Sequence, residues 1–132
     1  MVRYINHNEN PQMNRVGDCT VRAIAKVLGV DWHTAYWKLC AFGAINCDMP
    51  SSNAVWGQFL RSQGFRRYVV DDRDQEFYTV NDFCVDHPKG AYVLALSSHV
   101  VACIDGRLYD TWDSSNEIPI YYWERTEEKK EG

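Results

Sequence analysis

The chain has 132 residues, a length that fits one domain and excludes two full domains or a long repeat array. Hydrophobic residues make up 45% and aromatic residues 14%, which excludes intrinsic disorder; a chain of this size buries roughly two thirds of its unfolded surface and needs no staples. The net charge of −4 argues against a nucleic-acid binder, whose electrostatic footprint is normally basic.

Residues 1–16 are polar, rich in Asn and without periodicity, so they read as an irregular segment, with no apolar stretch of the kind that makes a secretory signal. Periodicity begins at Cys19. Val21, Ile24, Ala25 and Leu28 recur at helical spacing, which predicts an amphipathic helix stopped by Gly29. Asp31 is placed to cap a second helix that ends at Gly43. Residues 45–53 read as a loop. Ser51 or Ser52 then opens a third helix, which runs through Phe59 and Leu60 and stops near Gly64.

The second half changes period. Residues 66–70 predict a short strand, and the acidic run Asp71, Asp72 and Asp74 a solvated turn. Thr79 is placed to cap a short helix that Pro88 ends. Residues 91–98, 99–105 and 107–112 are rich in β-branched and aromatic types and separated by turn residues, so they predict antiparallel strands. Residues 118–123 add another strand, and the charged tail 125–132 is expected to fray. Apolar runs are short, so no membrane span is expected. The sum is a single α+β domain over 1–132, with N-terminal helices packed on a C-terminal antiparallel sheet.

Five cysteines at irregular spacing make a poor disulfide framework and fit a reducing cytoplasm. Cys40, Cys84 and Cys103 lie in apolar segments and read as small buried hydrophobes. No CxxC pair is present, so no metal is expected, and no glycine-rich phosphate loop points to a nucleotide or other cofactor. Most of the five tryptophans read as core or half-buried surface.

Cys19 is different. A thiol in the first turn of a helix faces unpaired N–H groups and the positive end of the dipole, and both favour the nucleophilic thiolate. Asp18, at the N-cap, would partly offset that field. A lone Cys is more often structural, but the first turn of a helix is usually partly exposed. His99 opens the strand 99–105 between apolar segments, where an imidazole is half-buried and held in place; the ordinary reading, a surface residue, is kept for His7, His33 and His87. A hairpin through Asp105 and Gly106 would set residues near 99–101 opposite those near 109–112. Asp110 would then reach the imidazole and fix its tautomer, with Asp113 as the competing carboxylate.

At these residues the chain resembles a small papain-like cysteine peptidase. The segment Gly17-Asp18-Cys19 resembles the Gly-x-Cys that opens the central helix of that superfamily. His99 and the apolar strand after it resemble the element carrying the general base. Asp110-Thr111-Trp112 resembles the Asn-Ser-Trp element, in which the Trp shields the hydrogen bond of the His; the resemblance gives Trp112 that role. The Asp in third place is similar to the bacteriocin-processing, C39-like peptidases, and the whole chain to small papain-like proteins of phages and prophages. The resemblance implies a papain-like fold and a Cys19–His99–Asp110 triad that carries out acyl transfer as a peptidase, isopeptidase or amidase. It implies a polypeptide or amide substrate, a host or phage protein, met in the cytoplasm of the host cell. Papain-type enzymes place an oxyanion-hole Gln six residues before the Cys, where this chain has Met13; Gln12 and Asn14 flank it and are the candidates. The alternative is a catalytically inactive papain-like fold that serves as a phage-encoded binding or inhibitor protein.

Overall fold

The computed structural model describes residues 4–70 and 78–126. The 3.6-residue periodicity of the first half becomes three helices: α1 (Cys19–Leu28), α2 (Trp32–Asn46) and α3 (Asn53–Ser62). Gly29 ends α1 in the left-handed region at φ 69°, a conformation that costs glycine no Cβ clash. In α1 the expected apolar pair Ile24 and Ala25 is fully buried, and Ala23 and Val27 join it. The buried face is wide because α1 packs on both α2 and the sheet. Asp31 caps α2 as expected, accepting the Thr34 N–H at 2.8 Å.

Gly43 does not end α2, contrary to expectation; the helix continues to Asn46 and turns at Cys47, whose φ is 53°. The glycine is buried inside the helix, where a Cβ would lie 2.7 Å from the Asp48 carbonyl oxygen. It permits a close approach of chain rather than a stop. Ser52 stands at the N-cap of α3 without a side-chain cap bond.

The strands are β1 (Tyr4–Asn6), β2 (Phe65–Val69), β3 (Ala91–Ala95), β4 (Val100–Ile104), β5 (Arg107–Asp110) and β6 (Tyr121–Arg125), with a short helix α4 (Val80–Asp86) between β2 and β3. They form one sheet in the order β1-β5-β4-β3-β6-β2. The N-terminal segment is therefore not wholly irregular. Tyr4–Asn6 pairs in parallel with Leu108–Asp110, which makes an otherwise antiparallel sheet mixed. The last strand starts later than expected, at Tyr121. Pro119 has no N–H to give to a ladder, and the Ile120 N–H goes to the Ala95 carbonyl at 2.9 Å. The tail is also ordered further than expected. Arg125 closes β6, and the Thr126 N–H bonds the Gly64 carbonyl at 2.8 Å. The expected charged turn at 71–76 and the tail from 127 lie outside the described residues.

The apolar runs in β3 and β4 are unbroken because both faces of the sheet are covered. Val93, Ala95, Val100 and Ala102 face α1, α2 and α3 across a core that includes Leu39, Trp56 and Phe59. Leu94, Val101 and Cys103 face the other way, onto Val80, Phe83 and Cys84 of α4. The fourth helix thus covers the opposite face of the sheet from the other three, an α+β arrangement in three layers. Thr79 caps α4 with a reciprocal capping box to Asp82. Each fully buried Leu or Phe in these layers contributes about 1.5–3 kcal/mol relative to exposure. Among the described residues, no helix is long and apolar enough to cross a membrane.

Candidate active site

The packing of α1 against β4 sets the first residue of the helix beside the first residues of the strand. Cys19 and His99 meet there. The β4–β5 hairpin turns at Asp105 and Gly106 and pairs Ala102 with Tyr109 and Cys103 with Leu108. Asp110, at the end of β5, consequently reaches His99; Nε2 donates to Asp110 Oδ2 at 2.7 Å. That leaves Nδ1 as the nitrogen that serves Cys19. Asp113, the competing carboxylate, instead accepts the Ser115 N–H at 3.1 Å.

Asp110 is almost wholly buried, with 2% of its surface exposed. It is held by four donors. Besides His99, Ser114 Oγ donates to Oδ2 at 2.7 Å, and the Thr111 N–H and Arg22 Nη1 donate to Oδ1 at 2.8 and 3.2 Å. Burial works to raise its carboxyl pKa, but the bonds from His99, Ser114 and Thr111 and the His99 charge hold it below the usual carboxylate range. For His99, burial favours the neutral ring. The bonds to Asp110 and then Cys19 outweigh it and push the imidazole up to about 9. Burial likewise works against the Cys19 thiolate. A hydrogen bond with His99, another from the Val100 N–H, and the charges of His99 and Arg22 prevail, and they bring the thiol below its ordinary value. The environment favours a thiolate beside an imidazolium.

Asp18 stands at the N-cap of α1, but its carboxylate does not cap the helix. It accepts Arg22 Nε at 2.9 Å, Trp32 Nε1 at 3.0 Å and Asn10 Nδ2 at 3.2 Å. The expected offset to the helix field is thus met by the Arg22 guanidinium, which bridges the buried carboxylates of Asp18 and Asp110. The Cys19 N–H is left without a hydrogen-bond partner among the described residues.

Trp112 lies over the imidazole with ring centroids 5.0 Å apart and planes tilted by 30°. It is half-exposed. A cleft of about 660 Å³ is lined by Cys19, His99 and Trp112 together with Asn6, Asn8 and Met13–Val16. Of the two expected oxyanion candidates, Asn14 lines this cleft and Gln12 does not. The Gln12 N–H is tied to Asn10 Oδ1 at 2.9 Å, in a turn anchored by the Asn10–Asp18 bond. Met13 takes a left-handed backbone at φ 56° in that turn.

Sequence reasoning missed Asn6, Asn8, Arg22 and Ser114. Arg22 carried a signal, since Asp18 and Arg22 stand at i and i+4 on a helix. The two asparagines reach the cleft through β1, whose pairing has no local signature. Among the described residues, no group of three or more His, Cys, Asp or Glu side chains is placed to hold a metal ion. Comparison of the chain with family models, curated proteins and solved structures finds no match.

Proposed function

We propose that the protein is a cysteine-dependent acyl-transfer enzyme, a peptidase, isopeptidase or amidase, on a papain-like fold. One observation carries the reading. The buried carboxylate of Asp110 holds His99 Nε2 at 2.7 Å, while His99 also hydrogen-bonds a thiol in the first turn of a helix. The thiolate Sγ attacks the carbonyl carbon of an amide, and the developing oxyanion is met by the Cys19 N–H, with Asn14 or Asn8, which line the same cleft, as side-chain donors. The C–N bond then breaks, and the imidazolium gives its proton to the leaving amine. In the second half His99 takes a proton from water, hydroxide attacks the thioester carbonyl and the C–S bond breaks; the acid leaves as a carboxylate and a proton released to solvent, which restores the thiolate–imidazolium pair. Asp110 fixes the ring and stabilises its charged form throughout.

The test is the pH dependence of Cys19 alkylation by iodoacetamide, with the modified residue identified by mass spectrometry. Wild-type Cys19 is expected to react well below the ordinary thiol value of about 8.5, and His99→Ala to return it to that value. A thiol that titrates like free cysteine and is indifferent to His99 overturns the reading. The binding-protein alternative would then take its place.

A further inference from the structure

Strand β2 ends the sheet, so it is paired on one side only, with β6. The phase of that pairing is set at both ends. The Thr126 N–H bonds the Gly64 carbonyl at 2.8 Å, and the Val70 N–H bonds the Ile120 carbonyl at 3.0 Å. Bonded pairs alternate with non-bonded ones in an antiparallel ladder. Arg66 and Tyr68 therefore bond β6, while Phe65, Arg67 and Val69 turn their N–H and C=O groups outward. None of these outward groups has a hydrogen-bond partner among the described residues. Residues 66–69 are exposed.

The same edge carries an unbalanced charge. Phe65, Trp123 and Tyr121 lie in or against the core under α1, α2 and α3. Three guanidinium groups sit over these rings: Arg125 over Phe65 at 5.2 Å, Arg61 over Trp123 at 5.2 Å and Arg67 over Tyr121 at 4.2 Å. They come from β6, α3 and β2, and they share one face of the sheet. Stacking on a ring orients a guanidinium and leaves the N–H groups at its rim available. Among the described residues none of the three has a carboxylate within ion-pair distance, although the chain as a whole carries −4. Arg66 and Glu124, which stand opposite each other in the ladder, lie on the other face.

We propose that the open edge of β2 docks an extended acidic segment of a partner polypeptide, which adds as a strand beside Phe65–Val69 with its carboxylates on the α3 face. The edge supplies backbone pairing, and the arginines select the side chains. Side chains of an extended segment alternate between faces, so acidic residues at every second position fall on the arginine side. The intervening residues fall beside Tyr68, which is exposed on the other face. A second copy is the wrong occupant, because β2 paired antiparallel with itself about Arg67 sets arginine against arginine. A nucleic acid has no peptide backbone to pair with the edge. Charge on an edge strand also keeps sheets apart. That role accounts for Arg66 and Arg67, but not for Arg61 on a helix or Arg125 on the neighbouring strand. The inference is independent of the chemistry at Cys19.

The probe is a fluorescein-labelled, end-capped peptide of alternating Glu and Val, read by anisotropy with the full chain. It should bind about tenfold or more tighter than its Gln-Val counterpart. Two analogues are N-methylated, one at every Glu and one at every Val, so that each blocks a single edge of the peptide. One should lose binding and the other keep it, as a strand with one paired edge requires. Arg61→Gln, Arg67→Gln and Arg125→Gln should weaken binding by about threefold each and by about tenfold or more together. The bound peptide should shift the amide resonances of Phe65, Arg67 and Val69. Equal behaviour of the two methylated analogues would mean that no strand forms. Equal binding of the Gln-Val peptide would mean that the arginines do not select. Tighter binding of an oligothymidylate would reassign the patch to nucleic acid. Each of these results, shifts confined to the Cys19 cleft, or no binding at millimolar peptide overturns the proposal. None of them bears on the alkylation profile of Cys19, which tests the acyl-transfer reading separately.

Discussion

Asp110 has four donors on two oxygens, two on each. Such a site needs a group that only accepts, and a carboxylate is that group. An amide would aim its NH2 either at His99 and Ser114 or at Arg22 and the Thr111 N–H. On the first side it would force Nε2 to accept and take away the charge that favours imidazolium. On the second it would oppose two donors that cannot turn into acceptors. Asp110→Asn is therefore not conservative here. The pH midpoint of iodoacetamide alkylation should move up toward an ordinary thiol, and the rate at pH 6.5 should fall by up to about tenfold for each unit of that move. An unchanged profile would show that Asp110 does not govern the pair. That Cys19, His99 and Asp110 would meet was legible in sequence because each sits at the end of a recognisable element and the turn at Asp105 sets two of them face to face. The support around Asp110 was less legible. Its bond from Arg22 spans 88 positions, and chain order says nothing of a contact that only packing creates.

The helices themselves were readable from period and caps, and the errors came where one element depends on another. Gly43 looked like a stop by local rules. In the fold it is the point where the chain after α2 comes back across the helix, with the Asp48 oxygen 2.7 Å and the Pro50 nitrogen 3.3 Å from where a Cβ would stand. Both are backbone atoms, so no side chain can swing aside. By propensity alone, Gly43→Ala in a helix interior would stabilise by about 1 kcal/mol. The overlap outweighs it, and the variant should lose about 1–3 kcal/mol, seen as a lower midpoint in urea or heat. A stabilised variant would mean that the 48–50 segment is not held against α2. Strand β1 shows the opposite case. Its three residues carry little propensity in total, and their place beside β5 is a pairing with residues more than a hundred positions away. No periodicity reports that, yet it carries Asn6 and Asn8 to the cleft.

At the scale of the whole molecule, the sheet and α1 bring together an acid and a base whose effects on folding have opposite sign. His99, raised to about 9 from 6.5, contributes stability that is complete below pH 6.5 and lost as pH climbs through about 9. Cys19, lowered from 9.0, contributes stability present above that value and lost as pH falls through its folded value. Where the two windows overlap, the unfolded chain holds one proton on the thiol and the folded chain holds one on the imidazole. The number bound is the same, so folding moves the proton without taking one up, and the pair adds no pH slope. Cys19→Ala breaks that balance. His99 still faces Asp110, and the bond and charge of that carboxylate keep favouring imidazolium, so the folded state now holds a proton that the unfolded state lacks. Stability of the variant should fall as pH rises from 6.5, at up to about 1.4 kcal/mol per unit. Wild type should stay level by comparison over the same range. Urea unfolding of both proteins at half-unit steps from pH 6 to 9 reads the difference directly, because every other titrating group is common to the two. A gap that widens with pH in favour of wild type is the expected result. Parallel curves would mean that no proton passes from Cys19 to His99 on folding, and the nucleophile would be an ordinary thiol in a well-built pocket.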